Sequence, residues 1–352
     1  MVDVVGAPSL AALIGLLGGI VLGLAARLGR FCTLGAIEDL LYSGSTVRIR
    51  MWLLAIGAAI IVTFGAISAG LLRAEDTFYL GQGWSLSGSV FGGLLFGYGM
   101  AIAGGCGYGA LARLGGGDMR SFVIVLVMGL AAYATLSGPF AELRLLLFAR
   151  DPMPAVPPGL AHAAARATGL SPVVWGVGAG VAFVLIALWP WRKQRMGTGS
   201  AVAGISVGLA IASGWIGTQW LAYESFGAVT VDSHTFSSPL GQTMLYVMTS
   251  SGSSLSFGVG SVTGVLVGAF LGSIRRGRFR WEACEDPREL RRQIMGAAMM
   301  GCGAVVAAGC SIGQGISAMS LLAFSAPVTL ASICLGAAIG LRQLIEGLAP
   351  AE

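Results

Sequence analysis

Gly97-Tyr98-Gly99-Met100-Ala101-Ile102-Ala103-Gly104-Gly105-Cys106-Gly107-Tyr108-Gly109 sets one cysteine among glycines inside apolar sequence. About two hundred residues later the pattern returns, as Gly301-Cys302-Gly303 leading into Ala307-Ala308-Gly309-Cys310-Ser311-Ile312-Gly313. A motif repeated within one apolar chain predicts a transporter of two related halves. Its substrate site is expected where irregular, glycine-rich segments meet near the bilayer midplane.

Working outward, 55% of the 352 residues are hydrophobic and only 11% charged, against about 25% charged in soluble domains. The mean hydropathy is +0.82. This predicts an all-α, polytopic membrane protein. Glycine contributes 56 residues, and small residues let transmembrane helices approach closely. Six cysteines include no CxxC pair and no disulfide framework. The net charge of +5 is modest and reads as topology rather than nucleic-acid binding.

Apolar runs of spanning length fall near 8–27, 51–72, 88–105, 121–137, 171–190, 199–221, 255–274, 293–309 and 327–344, about nine crossings. The first lacks a basic flank and a cleavage site, so it is expected to be a retained helix. Basic clusters at Arg27–Arg50, Arg113–Arg120, Arg192–Arg195 and Arg275–Arg292 place their loops in the cytoplasm, with 73–87, 138–170 and 223–245 outside. The N-terminus is then periplasmic and the C-terminus cytoplasmic. The stretches ending at Cys106 and Cys310 enter from opposite sides, so the halves are expected to be inverted: 8–137, then an insertion and connecting spans at 138–254, then 255–344. A second echo relates Gly29-Arg30-Phe31-Cys32 to Gly277-Arg278-Phe279-Arg280.

Gly29-Arg30-Phe31-Cys32, Gly104-Gly105-Cys106-Gly107-Tyr108-Gly109 with Arg113 after it, and Gly309-Cys310-Ser311-Ile312-Gly313-Gln314-Gly315 together resemble the YeeE/YedE family of sulfur-transport membrane proteins, over nearly the whole chain. The resemblance implies thiosulfate uptake across the bacterial inner membrane, through an hourglass of helices narrowing toward central cysteines. It also implies that Cys32, Cys106 and Cys310 handle the substrate, and that a cytoplasmic sulfur carrier or sulfurtransferase receives it. No carrier domain follows residue 344, so that acceptor is expected to be separate.

The same residues suit an anion on physical grounds. A dianion leaving water must have its hydration replaced. Helices that begin near the midplane offer free amides and the positive ends of their dipoles. Gly105, Gly107 and Gly109, and likewise Gly309 and Gly313, let backbone approach a ligand with no Cβ in the way. A neutral thiol is a weak donor worth no more than about 0.5–1.5 kcal/mol, enough to favour a soft terminal sulfur but too little to trap it. Cys106 and Cys310 are therefore expected in the wall of the passage, with Cys32 an additional step nearer the cytoplasm.

Other conspicuous residues have plainer readings. Cys284, Cys302 and Cys334 are expected to pack as small hydrophobes, as is the pair Met299-Met300. Arg30 and Arg113 mark the cytoplasmic face, and Trp84, Trp175, Trp191, Trp215 and Trp281 read as interfacial anchors. His162 and His234 fall in external loops, so neither a metal nor another cofactor is expected. Glu38, Asp39, Glu224 and Asp232 lie outside the spans and no Walker motif is present, which favours facilitated passage over proton or ATP coupling. Two alternatives share the motifs: transport of a related sulfur or selenium species, and a membrane sulfurtransferase with a cysteine persulfide intermediate.

Overall fold

A chain this apolar must satisfy its backbone hydrogen bonds internally, and helices do so within a single segment. The computed structural model is all-helical and describes residues 6–149, 157–189, 194–283 and 286–347. In chain order the helices are α1 (Ala7–Gly29), α2 (Thr33–Glu38, continued by a wider turn to Ser43), α3 (Val47–Ser68), α4 (Leu86–Ala103) and α5 (Gly107–Leu114). Then come α6 (Met119–Leu136), α7 (Ala141–Leu147), α8 (Leu160–Thr168), α9 (Pro172–Leu188) and α10 (Thr198–Glu224). The last are α11 (Ser238–Thr249), α12 (Phe257–Arg275), α13 (Pro287–Val306) and α14 (Ser325–Glu346).

Among the described residues, seven helical segments are both long and apolar enough to cross a bilayer, with α1–α2 and α4–α5 each forming one interrupted segment. The other two expected crossings fall on α9, an apolar helix of 17 residues, and on α13. The latter starts earlier than its apolar run because Asp286 caps it and Pro287 occupies its first turn, so Arg288, Glu289, Arg291 and Arg292 are helical.

Close glycine packing holds the bundle together. Gly15, Gly19 and Gly23 of α1 face Gly260, Gly264 and Gly268 of α12, spaced four apart on each helix. A Cβ at any of the six would strike a backbone carbonyl oxygen of the partner, so the two backbones are in direct contact. On α4, Gly92 and Gly99 meet α13 while Gly93 and Gly97 meet α14. The remaining large contacts join α3 to α9 and α10, α10 to α1, and α13 to α6. Buried Arg50 fastens the α9–α10 connection to α3, donating to the carbonyls of Ala187 at 2.7 Å and Gln194 at 2.7 Å.

The loops pack more deeply than a polar stretch between spans suggests. In segments 73–87 and 223–245, Thr77 and Leu80 are buried, as are Ser233, His234, Phe236 and Ser237, and Thr77 bridges Val231. Both fold inward between the helices. At the opposite end Asp118 bridges Glu282, joining the turn after α5 to the loop after α12.

Candidate translocation site

Each glycine-cysteine motif breaks a helix in the same way. After α4 the chain reverses at Gly104, φ 74°, a left-handed conformation suited to glycine, and the Gly105 amide bonds the Met100 carbonyl at 3.0 Å. Cys106 is then the extended N-cap of α5. After α13 the reversal falls on Ala308, φ 55°, with the Gly309 amide bonded to Ala304 at 2.8 Å and Cys310 leading into a buried helical turn that widens over Gly313–Ala318. Cys32 is likewise the extended N-cap of α2, following the reversal at Arg30, φ 56°. All three cysteines thus stand at the starts of short helices inside the bundle.

Hydrogen bonds bring the three together. The Cys310 sulfur accepts from the Phe236 amide at 3.3 Å and the Gly313 amide at 3.4 Å, and the Thr235 hydroxyl lies 3.6 Å away. Thr33, next to Cys32, donates to Ser311 at 3.1 Å and lies 3.9 Å from the Cys106 sulfur. Cys32 and Cys106 are near enough to interact electrostatically, as are Cys106 and Cys310. Phe31 stacks on Trp52 at 4.9 Å and Phe236 tilts against Tyr108 at 5.3 Å, while the Tyr108 hydroxyl donates to the Leu22 carbonyl at 2.6 Å.

A cavity of about 1280 Å³ leads to this cluster, between the inserted loops and helices α1, α10, α11, α12 and α13. Its floor includes Tyr79, Thr235, Ala308 and Gly309. Cys310, buried, lies one layer beneath. A Cβ on Gly313 would come 2.6 Å from the Thr235 hydroxyl and 2.9 Å from that of Tyr79, so both hydroxyls rest on the helix that Cys310 opens.

The opposite, arginine-rich side is charged. Arg113 ends α5 and folds back so that Nη1 donates to the Gly104 carbonyl, while Nε donates to Ser121 at 3.0 Å and lies 3.8 Å from Asp118. Asp118 also caps α6, accepts from Ser121 at 2.7 Å and pairs with Arg120 at 3.4 Å. Burial pushes its carboxyl up, but the Ser121 hydrogen bond and the charges of Arg113 and Arg120 outweigh that and hold it below the usual carboxylate range. Arg27, bonded to Ser273 at 2.7 Å, and Glu282 complete the cluster.

The glycines named from sequence differ in surroundings. Gly105 lies under the Arg113 guanidinium, Gly107 against the Met128 sulfur, and Gly309 against Gln314 and the Tyr79 hydroxyl. At Gly109 an added Cβ would meet only the Cys106 sulfur, at 3.8 Å, so open space adjoins that thiol. Cys302 accepts from Thr135 at 3.3 Å and Met300 is buried. Cys284, Trp191, Arg192, Lys193, Pro152 and Pro154 lie outside the described residues.

Three sequence expectations are corrected. His234 is not exposed in its loop; it is fully buried, with Nδ1 2.6 Å from the Ser261 hydroxyl and its ring against Gly18 and Phe257. Trp215 is not an interfacial anchor, because α10 continues to Glu224 and leaves it deep in the bundle, donating to Ser320 at 3.1 Å. The echo between Gly29–Cys32 and Gly277–Arg280 does not extend to their surroundings: Phe31 is buried on Trp52, whereas Phe279 borders the exposed Trp281. Tyr79, Thr235, Phe236 and Thr33 were missed; the only sequence signal was the lack of charge across 233–241.

A helical bundle with paired helix breaks converging below a deep cavity defines a multi-pass membrane transport protein. The chain belongs to the sulphur-transport family, whose description, Sulphur transport, matches residues 28–339. It is 27% identical over 344 residues to the "Thiosulfate transporter TsuA" of Escherichia coli K12, covering 92% of this chain and 91% of that one. It is 26% identical over 322 residues to the "Thiosulfate transporter TsuA" of Spirochaeta thermophila, covering 88% of this chain and 92% of that one.

Proposed function

We propose that this protein carries thiosulfate into the cytoplasm across the bacterial inner membrane, with the cavity opening to the periplasm and Arg113 facing the cytoplasm. The names of the two relatives support the substrate. The observation that carries the mechanism is the bonding of Cys310: two backbone amides fill acceptor positions on its sulfur, which leaves the S–H to donate to a passing anion. Cys106 acts from the facing helix start and Cys32 beyond it, each a weak donor, so the ion moves between stations of similar depth. The Tyr79 and Thr235 hydroxyls strip water from it at the cavity floor. The acceptor on the far side is a cytoplasmic sulfur carrier or sulfurtransferase, whose consumption of the ion draws it inward.

The helix contacts also support two inverted halves, in a different register from the one read in the motifs. In this scheme α1, α2 and α3 correspond to α10, α11 and α12, and α4, α5 and α6 to α13, the turn after Cys310, and α14. The contact of α1 with α12 then mirrors that of α10 with α3, and α4 with α14 mirrors α13 with α6. The stretch before α11, with Thr235 and Phe236, takes the place that Cys32 holds before α2, and α7–α9 are the insertion.

The test is uptake of labelled thiosulfate by proteoliposomes. Cys106→Ala and Cys310→Ala should abolish it and Cys302→Ala should not. Normal uptake by both Cys106→Ser and Cys310→Ser would refute thiol donation. Uptake of selenium oxyanions in preference to thiosulfate would replace the cargo.

A further inference from the structure

Arg113 is more than a marker of the membrane face. Of its donors, Nη1 holds the Gly104 carbonyl and Nε holds Ser121, while Nη2 makes no hydrogen bond to any described residue. That free edge lies over Gly105, where a Cβ would come within 3.2 Å of it, one residue from Cys106. Its charge is felt at Cys32. An anion leaving the thiols on this side therefore meets a guanidinium already fixed in place by its other nitrogens.

Such a charge, left alone, would hold a dianion too well. Asp118 prevents this: it stands 3.8 Å from Nε, is itself anchored by Ser121 and Arg120, and remains ionised at neutral pH. We propose that Arg113 is the last anion-binding station on the arginine-rich side, and that Asp118 is its fixed counter-charge, set to weaken binding there and speed release. The companion turn at Ala308 is braced by the neutral Gln314 instead, so the two ends of the passage differ in charge although the chain folds alike at both. This assignment rests on the transport reading above and deepens it.

The test compares right-side-out and everted membrane vesicles, so that labelled thiosulfate is presented to each face in turn. Arg113→Gln should raise the half-saturating concentration about tenfold from the arginine-rich side, the size of a lost charge-assisted hydrogen bond, and change it less than about twofold from the cavity side. Asp118→Asn retains the α6 cap and should act with opposite sign, lowering that concentration on the arginine-rich side while slowing net turnover toward it. A purely structural role for either residue would move both faces together. Equal effects on both faces, or a rise in half-saturation with Asp118→Asn, would overturn the assignment and leave the transport reading standing. If Arg113→Gln does not fold, the sign of the Asp118→Asn effect decides alone. Wild-type vesicles that admit no thiosulfate from either face would sink both.

Discussion

Arg113 and Gln314 perform the same task on opposite sides of the cysteine cluster: each donates a side-chain hydrogen bond to the carbonyl of the residue two before a cysteine, Gly104 in one case and Ala308 in the other. A helix that ends inside a membrane leaves carbonyls without partners, and each left bare costs several kcal/mol in hydrocarbon surroundings, by order of magnitude. The two braces offset that cost where the chain must break. They come from different positions after their cysteines, seven residues in one case and four in the other.

Gln314→Glu should therefore be severe. It preserves shape but presents a carboxylate to the carbonyls of Ala307 and Ala308, now 3.0 and 3.2 Å from an amide nitrogen. Thermal unfolding in detergent should move down by several degrees and uptake should vanish, whereas Gln314→Met should lose stability without the added repulsion.

Cys310 separates folding from transport. Replacing it with Ala leaves the buried amides of Phe236 and Gly313 without an acceptor, at roughly 1–3 kcal/mol for each. Cys310→Ser supplies an oxygen to both. Unfolding measurements should rank Ala well below Ser, while labelled-thiosulfate uptake is lost in both.

Gly109→Ala probes the space beside Cys106. The new methyl would meet only the sulfur, at 3.8 Å, with no clash. Helix propensity alone favours the substitution by about 1 kcal/mol. Stability should hold or rise while uptake falls at least severalfold; unchanged uptake would show that the ion does not pass that side of the thiol.

Tyr79→Phe removes one hydroxyl from the cavity floor and leaves the ring against Trp215, 6.2 Å between centroids. The fold should be unaffected. Competition assays should show a several-fold rise in half-saturation from the cavity side, with sulfate discriminated less well, since a lost hydrogen bond of about 1 kcal/mol corresponds to that factor.

Asp118 sets a pH dependence of known sign. Its carboxyl is held below the ordinary range against the opposing effect of burial, by Ser121, Arg113 and Arg120, so its ionised form stabilises the fold. That contribution is complete above the unfolded-state value near about pH 4 and disappears as pH falls through the lower folded value. The difference in melting between wild type and Asp118→Asn should stay constant from about pH 5 to 8 and close only below about pH 4.

How far the sequence reaches is clear from individual residues. The helix breaks at Cys106 and Cys310 are legible because glycines recur around them in otherwise regular apolar runs, and a repeat is a strong signal in a membrane chain. Tyr79, Thr235 and Phe236 were not, because hydropathy assigns any short polar stretch between spans to water. Those two loops fold back among helices instead, where their hydroxyls and amides find partners. Trp215 and His234 were misplaced for related reasons: one lies inside a helix longer than its apolar window, the other on an inserted loop. The register proposed above for the halves is not visible in the motifs, because Cys32 has no cysteine counterpart in that scheme and the segment before α11 shares no motif with it.

The depth of the cavity also bears on energetics. With the cavity open to bulk solution as proposed above, electrolyte reaching Tyr79 and Gly309 would shorten the insulating layer to the septum between that floor and Arg113, and most of the transmembrane voltage would drop across the thiols. With the interior negative, a dianion moving inward by 100 mV climbs roughly 4.6 kcal/mol, at about 2.3 kcal/mol per charge. At rest the ion would be more than about a thousandfold scarcer inside than out. Facilitated passage of the kind proposed above would therefore fill a cell only as fast as metabolism empties it.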